Sequence, residues 1–237
     1  MGDARIVTAV ILQARLDSSR LPNKALLPLG GEPMILRVME ALRAIPCDAW
    51  ALACPADAES AFAPLAERAG FRLVIGSKED VLGRYCAAVR VLGADRVIRA
   101  TGDNPFVFPD AAAAIAREGE ASGADYAAYA GLPYGAGVEA VAAEALLRAE
   151  REATLQSERE HVCPYLYTHG DFFILHRPAA PVRWRRPSVR LTVDTAEDYA
   201  AARKLFDALA GPRTAGAPVG WPVGGEAVLA AHAEVCG

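Results

Sequence analysis

The sequence predicts an α/β protein built on an open, mostly parallel sheet. Three observations carry that prediction. Short apolar runs alternate with longer segments of helical spacing along almost the whole chain, as repeated strand–helix units require. Glycine and proline fall at the junctions between them. The first unit joins a strand to a helix through a long polar loop, and such a loop lies at the carboxyl edge of a parallel sheet, where open α/β folds bind ligands.

The elements follow in order. The run IVTAVIL at residues 6–12 is a buried strand. Residues 34–44 form a helix, with Ile35, Val38, Met39 and Leu42 on one face. A second strand over 49–53 ends before Pro55, and a helix over 58–69 closes at Gly70. Residues 72–75 are a third strand and 80–92 a helix ending at Gly93; a fourth strand over 96–100 runs straight into Thr101-Gly102-Asp103-Asn104-Pro105. Pro109 opens a helix over 109–120. Strands over 125–129 and 138–141 flank a glycine-rich turn at 131–137, and a helix over 143–152 comes next. Helical spacing continues over 158–169, interrupted at Pro164. Strands over 172–175 and 189–193 and a helix over 196–210 complete the pattern. The stretch 211–225 is rich in glycine and proline and is expected to be irregular, with a short final helix over 226–235. No repeat or linker composition divides the chain, so one domain over residues 1–237 is expected.

Composition narrows the partners. With 53% hydrophobic and 23% charged residues the chain reads as a soluble globular protein, and a net charge of −4 argues against nucleic acid, which needs a broad basic footprint. A local basic pocket on an acidic protein suits a small anion. No apolar run approaches the roughly 18 residues of a membrane span. The amino-terminal stretch lacks the basic region, apolar core and cleavage site of a secretory signal, and Ile6 stands where a myristoylation site needs Ser or Thr. The five cysteines are odd in number and contain no CxxC pair, so neither a disulfide framework nor a zinc site is indicated, and the expected compartment is the reducing cytoplasm. The four histidines lack ligand spacing. Trp184 among Arg183, Arg185 and Arg186 reads as a short exposed basic loop.

The loop over residues 13–31, QARLDSSRLPNKALLPLGG, concentrates the chemistry. It places Arg15, Arg20 and Lys24 within ten residues, with Ser18 and Ser19 between them. Three converging cations suit an anion of several charges, such as a nucleoside triphosphate; a solvated surface turn would use the same residues. Neither GxxxxGK[ST] nor GxGxxG is present, so any phosphate cradle rests on side-chain cations and on backbone amides near Ser18 and Ser19. Asp103 follows the fourth strand, where a carboxylate fits a magnesium ligand or caps its own turn. Asp194 repeats that placement: it is a helix cap, or, if Thr195 and Asp198 form the capping pair, a free carboxylate. At 157–161 the cluster SEREH is a helix start capped by Ser157 and Glu160, or a polar group facing a ligand.

The pattern ARxxSxRLPxKxLxPLxGxP, over residues 14–33, resembles the amino-terminal signature of the cytidylyltransferases that activate acidic sugars. The likeness is closest to the spore-coat polysaccharide protein F branch, with the CMP-KDO synthetases as relatives. GSKEDVLGRY at 76–85, RATGDNPFV at 99–107, SEREHV at 157–162 and RLTVDTAEDY at 190–199 follow in the family's order, so the resemblance spans residues 6 to about 207. It implies the three-layer, Rossmann-like fold of nucleotide-diphosphosugar transferases (GT-A type). It also implies Mg²⁺ held by Asp103 and Asp194, and a triphosphate held by Arg15, Arg20 and Lys24; of these, Arg15, Lys24, Asp103 and Asp194 would carry catalysis. Gln13, Ala14, Ser19, Arg99, Thr101 and Gly102 would complete the nucleotide pocket, and Glu139, Glu158, Arg159 and His161 would face the acceptor.

The implied reaction transfers CMP from CTP to an acidic sugar, sugar phosphate or related small anion, with release of pyrophosphate, for surface polysaccharide. The partners are then CTP and that acceptor, with no nucleic acid or membrane, in a homodimer formed through residues 123–175. Two other readings stand beside it: a glycosyltransferase of the same fold, and a non-catalytic nucleotide-binding protein. Two departures bear on the acceptor. Gly137 stands where the branch has Asp before Val-Glu, and Asn104 stands where many members have Cys.

Overall fold

The apolar run near the amino terminus becomes the middle of a seven-stranded sheet. In the computed structural model, which describes residues 5–210 and 220–236, β1 (Thr8–Gln13) leads through the polar loop into a small hairpin, β2 (Pro28–Leu29) and β3 (Glu32–Pro33). Then come α1 (Met34–Arg43), β4 (Ala49–Pro55), α2 (Glu59–Ala69), β5 (Arg72–Gly76), α3 (Val81–Leu92), β6 (Arg96–Thr101) and α4 (Pro109–Ala121). The second half holds β7 (Tyr126–Ala127), β8 (Glu139–Ala142), α5 (Ala143–Glu152), α6 (Gln156–His161), α7 (Pro164–Thr168), β9 (Leu175–His176), α8 (Ala196–Ala210) and α9 (Gly225–Cys236). The sheet order is β5-β4-β1-β6-β8-β7-β9. β5, β4, β1 and β6 run parallel, whereas β8 is antiparallel to both β6 and β7.

Alternation along β1 explains the three layers. Val10 and Leu12 point to one face, with α1, α2 and α4; Ile11 points to the other, with α3 and α5. Because both faces are covered, the strand is apolar at every interior position. A third cluster joins the β2–β3 hairpin to α8 and α9 through Leu29, Phe206 and Val228, with Phe106, Phe108 and Trp184. Gly30 turns the hairpin at φ 61°, and a Cβ there would lie 2.1 Å from the Phe206 ring, so the hairpin docks on α8 only with glycine at its tip.

Several expectations are corrected. Residues 189–193 are extended but are not a sheet strand. Their hydrogen bonds are divided between two loops: Leu191 N donates to the Tyr134 carbonyl at 2.7 Å and Val193 N to the Asp103 carbonyl at 2.8 Å. The helical stretch after 156 splits into α6 and α7, with Val162 between them at φ 75° and Pro164 at the first turn of α7, where its missing N–H costs nothing. The cap of α6 is Leu155, not Ser157; Glu158 returns its carboxylate to the Leu155 N–H at 3.3 Å, in place of the expected Ser157–Glu160 pair. Trp184 is not in an exposed loop: its ring is buried against Tyr129, and only the flanking arginines face solvent. The β2–β3 hairpin was not expected. Of the anticipated irregular stretch, residues 211–219 lie outside the described residues. No described helix is long and apolar enough to cross a membrane.

Gly30→Ala is expected to cost about 3 kcal/mol, from positive φ and overlap with Phe206 together. Gly31→Ala, at φ 83° with open space around it, is expected to cost about 1 kcal/mol from the backbone alone. Equal losses in denaturant unfolding would contradict the docking argument.

Candidate active site

The carboxyl ends of β1 and β6 lie side by side, and the loops that leave them wall a cleft of about 620 Å³. Gly102 N donates to the Gln13 carbonyl at 2.8 Å, locking the two loops together. That approach requires glycine: a Cβ at position 102 would lie 2.9 Å from both the Ala14 and Ile35 side chains. After Ala14 the polar loop folds on itself, with the amides of Ser18 and Asn23 both donating to the Leu16 carbonyl. Asn23 takes a left-handed conformation, φ 53°, which Asn tolerates better than most residues, and delivers Lys24 into a single 3₁₀ turn.

Lys24 is the centre of the site. Its ammonium donates to Asp103 Oδ2 at 3.1 Å, to Asp194 Oδ1 at 2.8 Å and to the Val193 carbonyl at 2.9 Å. Arg20 approaches Asp194 Oδ1 at 3.2 Å, and Arg190 donates to Asp194 Oδ2 at 2.8 Å. Burial alone would raise the Asp194 carboxyl; Lys24, with Arg20 and Arg190, outweighs it and holds it below the ordinary carboxylate value. Asp103 is aimed by the Thr101 hydroxyl, which donates to Oδ1 at 2.7 Å and accepts from the Asn104 amide.

The start of α8 leaves Asp194 available. Thr195 and Asp198 form the capping pair: Asp198 N donates to Thr195 Oγ1, and the Asp198 carboxylate accepts from the amides of Asp194 and Thr195. Arg190 beside Asp198 lowers that carboxyl to about 2. Among the described residues no group of three or more His, Cys, Asp or Glu side chains could hold a metal ion by itself. Two carboxylates converging on one ammonium position nevertheless fit magnesium, which takes one or two carboxylates and draws its other oxygens from water and bound phosphates.

The facing wall carries a half-buried ionic group. Arg99 pairs with Glu139, and Tyr126 donates its hydroxyl to Glu139 Oε1 at 2.8 Å. Burial works against the Arg99 charge, but Glu139 more than offsets it and raises the guanidinium pKa. Burial, then Glu139, pushes the Cys163 thiol well up, which disfavours its thiolate.

All of the residues selected from the sequence line this cleft except Glu158 and Arg159. Glu158 is buried in the α6 cap, and Arg159 is spent on Asp80 at 2.6 Å and on the carbonyls of Glu150 and Ala153. Their expected place beside an acceptor is therefore corrected to a structural one, and from that cluster Glu160 and His161 face the cleft. Sequence reasoning passed over Tyr134 and Thr192. Tyr134 sits in the glycine-rich turn as an exposed aromatic under the Arg190 guanidinium, 5.1 Å from its ring centroid. An aromatic inside a glycine-rich turn was the available signal.

With this geometry in hand the chain can be set beside known proteins. A family model described as cytidylyltransferase matches residues 9–215. The spore coat polysaccharide biosynthesis protein SpsF of Bacillus subtilis is 32% identical over 203 residues, covering 83% of this chain and 85% of that protein. Among solved structures, a cytidylyltransferase from Leptospira borgpetersenii matches with a TM-score of 0.78 at 22% identity, over 85% of this chain and 87% of the other. The CMP:2-keto-3-deoxy-manno-octonic acid synthetase in complex with CTP matches with a TM-score of 0.59 at 18% identity, over 84% and 98%. At these identities the structural matches speak for a shared fold.

Two outcomes test the charge arrangement. Lys24→Met leaves two carboxylates facing each other with less compensation and is expected to cost about 2–3 kcal/mol, regained in thermal unfolding when Mg²⁺ or Mn²⁺ is added; no regain would show that the pair makes no metal position. Asp198 has a folded pKa near 2 against an ordinary 3.8, so its stabilisation is complete above about pH 4 and lost as pH falls through 2. Wild type should therefore exceed Asp198→Asn in stability near pH 5, with the two converging in acid.

Proposed function

Because the chain belongs to the cytidylyltransferase family, we propose that it transfers CMP from CTP to an oxygen of a small anionic sugar, sugar phosphate or related acceptor, releasing pyrophosphate for surface polysaccharide synthesis. The observation that carries this reading is the convergence of Asp103, Asp194 and Lys24 at one point, with Arg20 beside them, in a single cleft. Polyphosphate chemistry needs a place for a divalent cation and cations for the leaving group, and these residues are of the types that would supply both.

Arg15, Arg20 and Lys24 would take the triphosphate, Lys24 exchanging its carboxylate partners for phosphate oxygens. Asp103 and Asp194 would then be free to hold a divalent cation, Mg²⁺ in this reading, which when bound supplies positive charge at the α-phosphate. The acceptor oxygen attacks the α-phosphorus, the bond to the bridging oxygen breaks, and its electrons leave with pyrophosphate. Arg15 and Arg20 neutralise the charge that grows on that leaving group. Glu139 is already engaged by Arg99 and Tyr126, so His161 and Tyr134 are the better candidates for acceptor contact.

A glycosyltransferase of this fold would present an Asp-x-Asp metal motif, whereas this chain has Asp103-Asn104-Pro105. A non-catalytic nucleotide binder would take CTP without releasing pyrophosphate. The reading places the protein in the cytoplasm, where CTP is made, and as a homodimer; exposed Phe172 and Ile174 beside the edge strand β9 supply an apolar patch for that contact. A monomer in light scattering would remove the dimer.

The test is pyrophosphate release with Mg²⁺, each NTP in turn, and a panel of acidic sugars, sugar phosphates and phosphonates. Release should be confined to CTP with one acceptor, and Asp103→Ala should lower kcat/KM by about 100-fold or more. CTP binding with no release across the panel would favour the non-catalytic reading.

A further inference from the structure

Arg84 is the least exposed charged residue among those described, at 1%, and neither the family motifs nor the proposed reaction gives it a task. It projects from α3 toward the carboxyl end of β1. Its Nη1 donates to the Ser77 carbonyl at 2.7 Å, its Nη2 donates to Gln13 Oε1 at 2.9 Å, and its Nε has no partner. No carboxylate among the described residues forms an ion pair with it. The fold makes room for this cation deliberately: a Cβ at Gly76 would lie 2.9 Å from Arg84 Cγ. Burial holds its pKa below the usual arginine range. A guanidinium held this way is costly, and a methionine or leucine would fill the same helix position without that cost.

What arginine brings is a set of donors and no acceptor. The atom of Gln13 that faces Arg84 must therefore be the carbonyl oxygen, and the amide NH₂ must turn away from it. Gln13 lines the cleft, and its Nε2 has no protein partner among the described residues. The end of β1 thus presents an N–H donor of fixed direction. The wall of Lys24, Asp103 and Asp194 serves charged oxygens. Gln13, with Val81 one turn before Arg84 on the same helix, gives the cleft an uncharged stretch that suits a flat heterocycle.

We propose that Arg84 is a positioning residue that locks the Gln13 amide, so that its N–H donates to an acceptor atom of the nucleobase. The assignment rests on the nucleotide reading above. It makes the orientation of one amide, and not the amide alone, the element that senses the base.

The experiment is calorimetric titration of the full chain with CTP and with inorganic tripolyphosphate at the same Mg²⁺ concentration. The readout is the ratio of the two affinities, in which a general change of charge or packing cancels. Gln13→Met should lower that ratio about tenfold by removing the donor. Gln13→Glu should lower it as far while the melting temperature holds or rises, because Arg84 gains a carboxylate partner; a merely structural role for the pair would not separate the two readouts. Arg84→Met, which frees the amide to turn, should also lower the ratio, and Arg84→Lys, again a donor only, should keep it. An unchanged ratio in both Gln13 variants would overturn the base contact, and an unchanged ratio in Arg84→Met would overturn the positioning role of Arg84; either result leaves the nucleotide reading standing. Wild type that binds neither probe would overturn that reading and this contact together.

Discussion

The three-way contact of the Lys24 ammonium with Asp103, Asp194 and the Val193 carbonyl is the constraint on which the rest of the cleft depends. It draws together three segments far apart in the chain: the loop after β1, the loop after β6 and the approach to α8. Each carries charge that would repel or be poorly solvated alone. A single cation between two carboxylates satisfies the group while leaving every member on the surface of the cleft, where a ligand can compete for it. The Thr101, Asn104 and Asp198 side chains then need only aim groups that are already held.

Much of this was legible in the sequence, for identifiable reasons. β1 is apolar at successive positions because both its faces are covered, and Gly70 and Gly93 ended their helices at φ 70° and 61°, as glycine after a periodic segment implies. The cations of the loop and the two carboxylates after strand-like runs were visible as residue types at spacings. That Lys24 would bridge the carboxylates was not, because spacing says which groups are near and nothing about which of them pair.

Other features were hidden by signals with two meanings. Val189, Leu191 and Val193 alternate as a strand does, yet Leu191, Thr192 and Val193 are buried in succession, because the segment packs between loops instead of beside a sheet neighbour. SxxE at residues 157–160 looks like a helix start, yet Leu155 and Glu158, with a poorer local pattern, form the cap, so packing overrode a local preference of modest size. Arg84 in the string LGRY has the look of a solvated helix arginine. Its burial comes from contacts outside the helix, the close approach of Gly76 and the bond to Gln13, which spacing within the helix does not report.

The divided bonding of residues 189–193 ties two loops of one cleft to a single segment. Tyr134 hangs on this segment through Val189 and Leu191, whereas Asp103 hangs on it through Val193, next to Asp194. The glycine-rich turn also packs on that segment directly: a Cβ at Gly135, where φ is 94°, would lie 2.6 Å from the Thr192 amide nitrogen, so the two keep their spacing only with glycine there. A change of backbone within residues 131–137 is therefore felt first at Thr192, the residue before the Val193 carbonyl that accepts from Lys24.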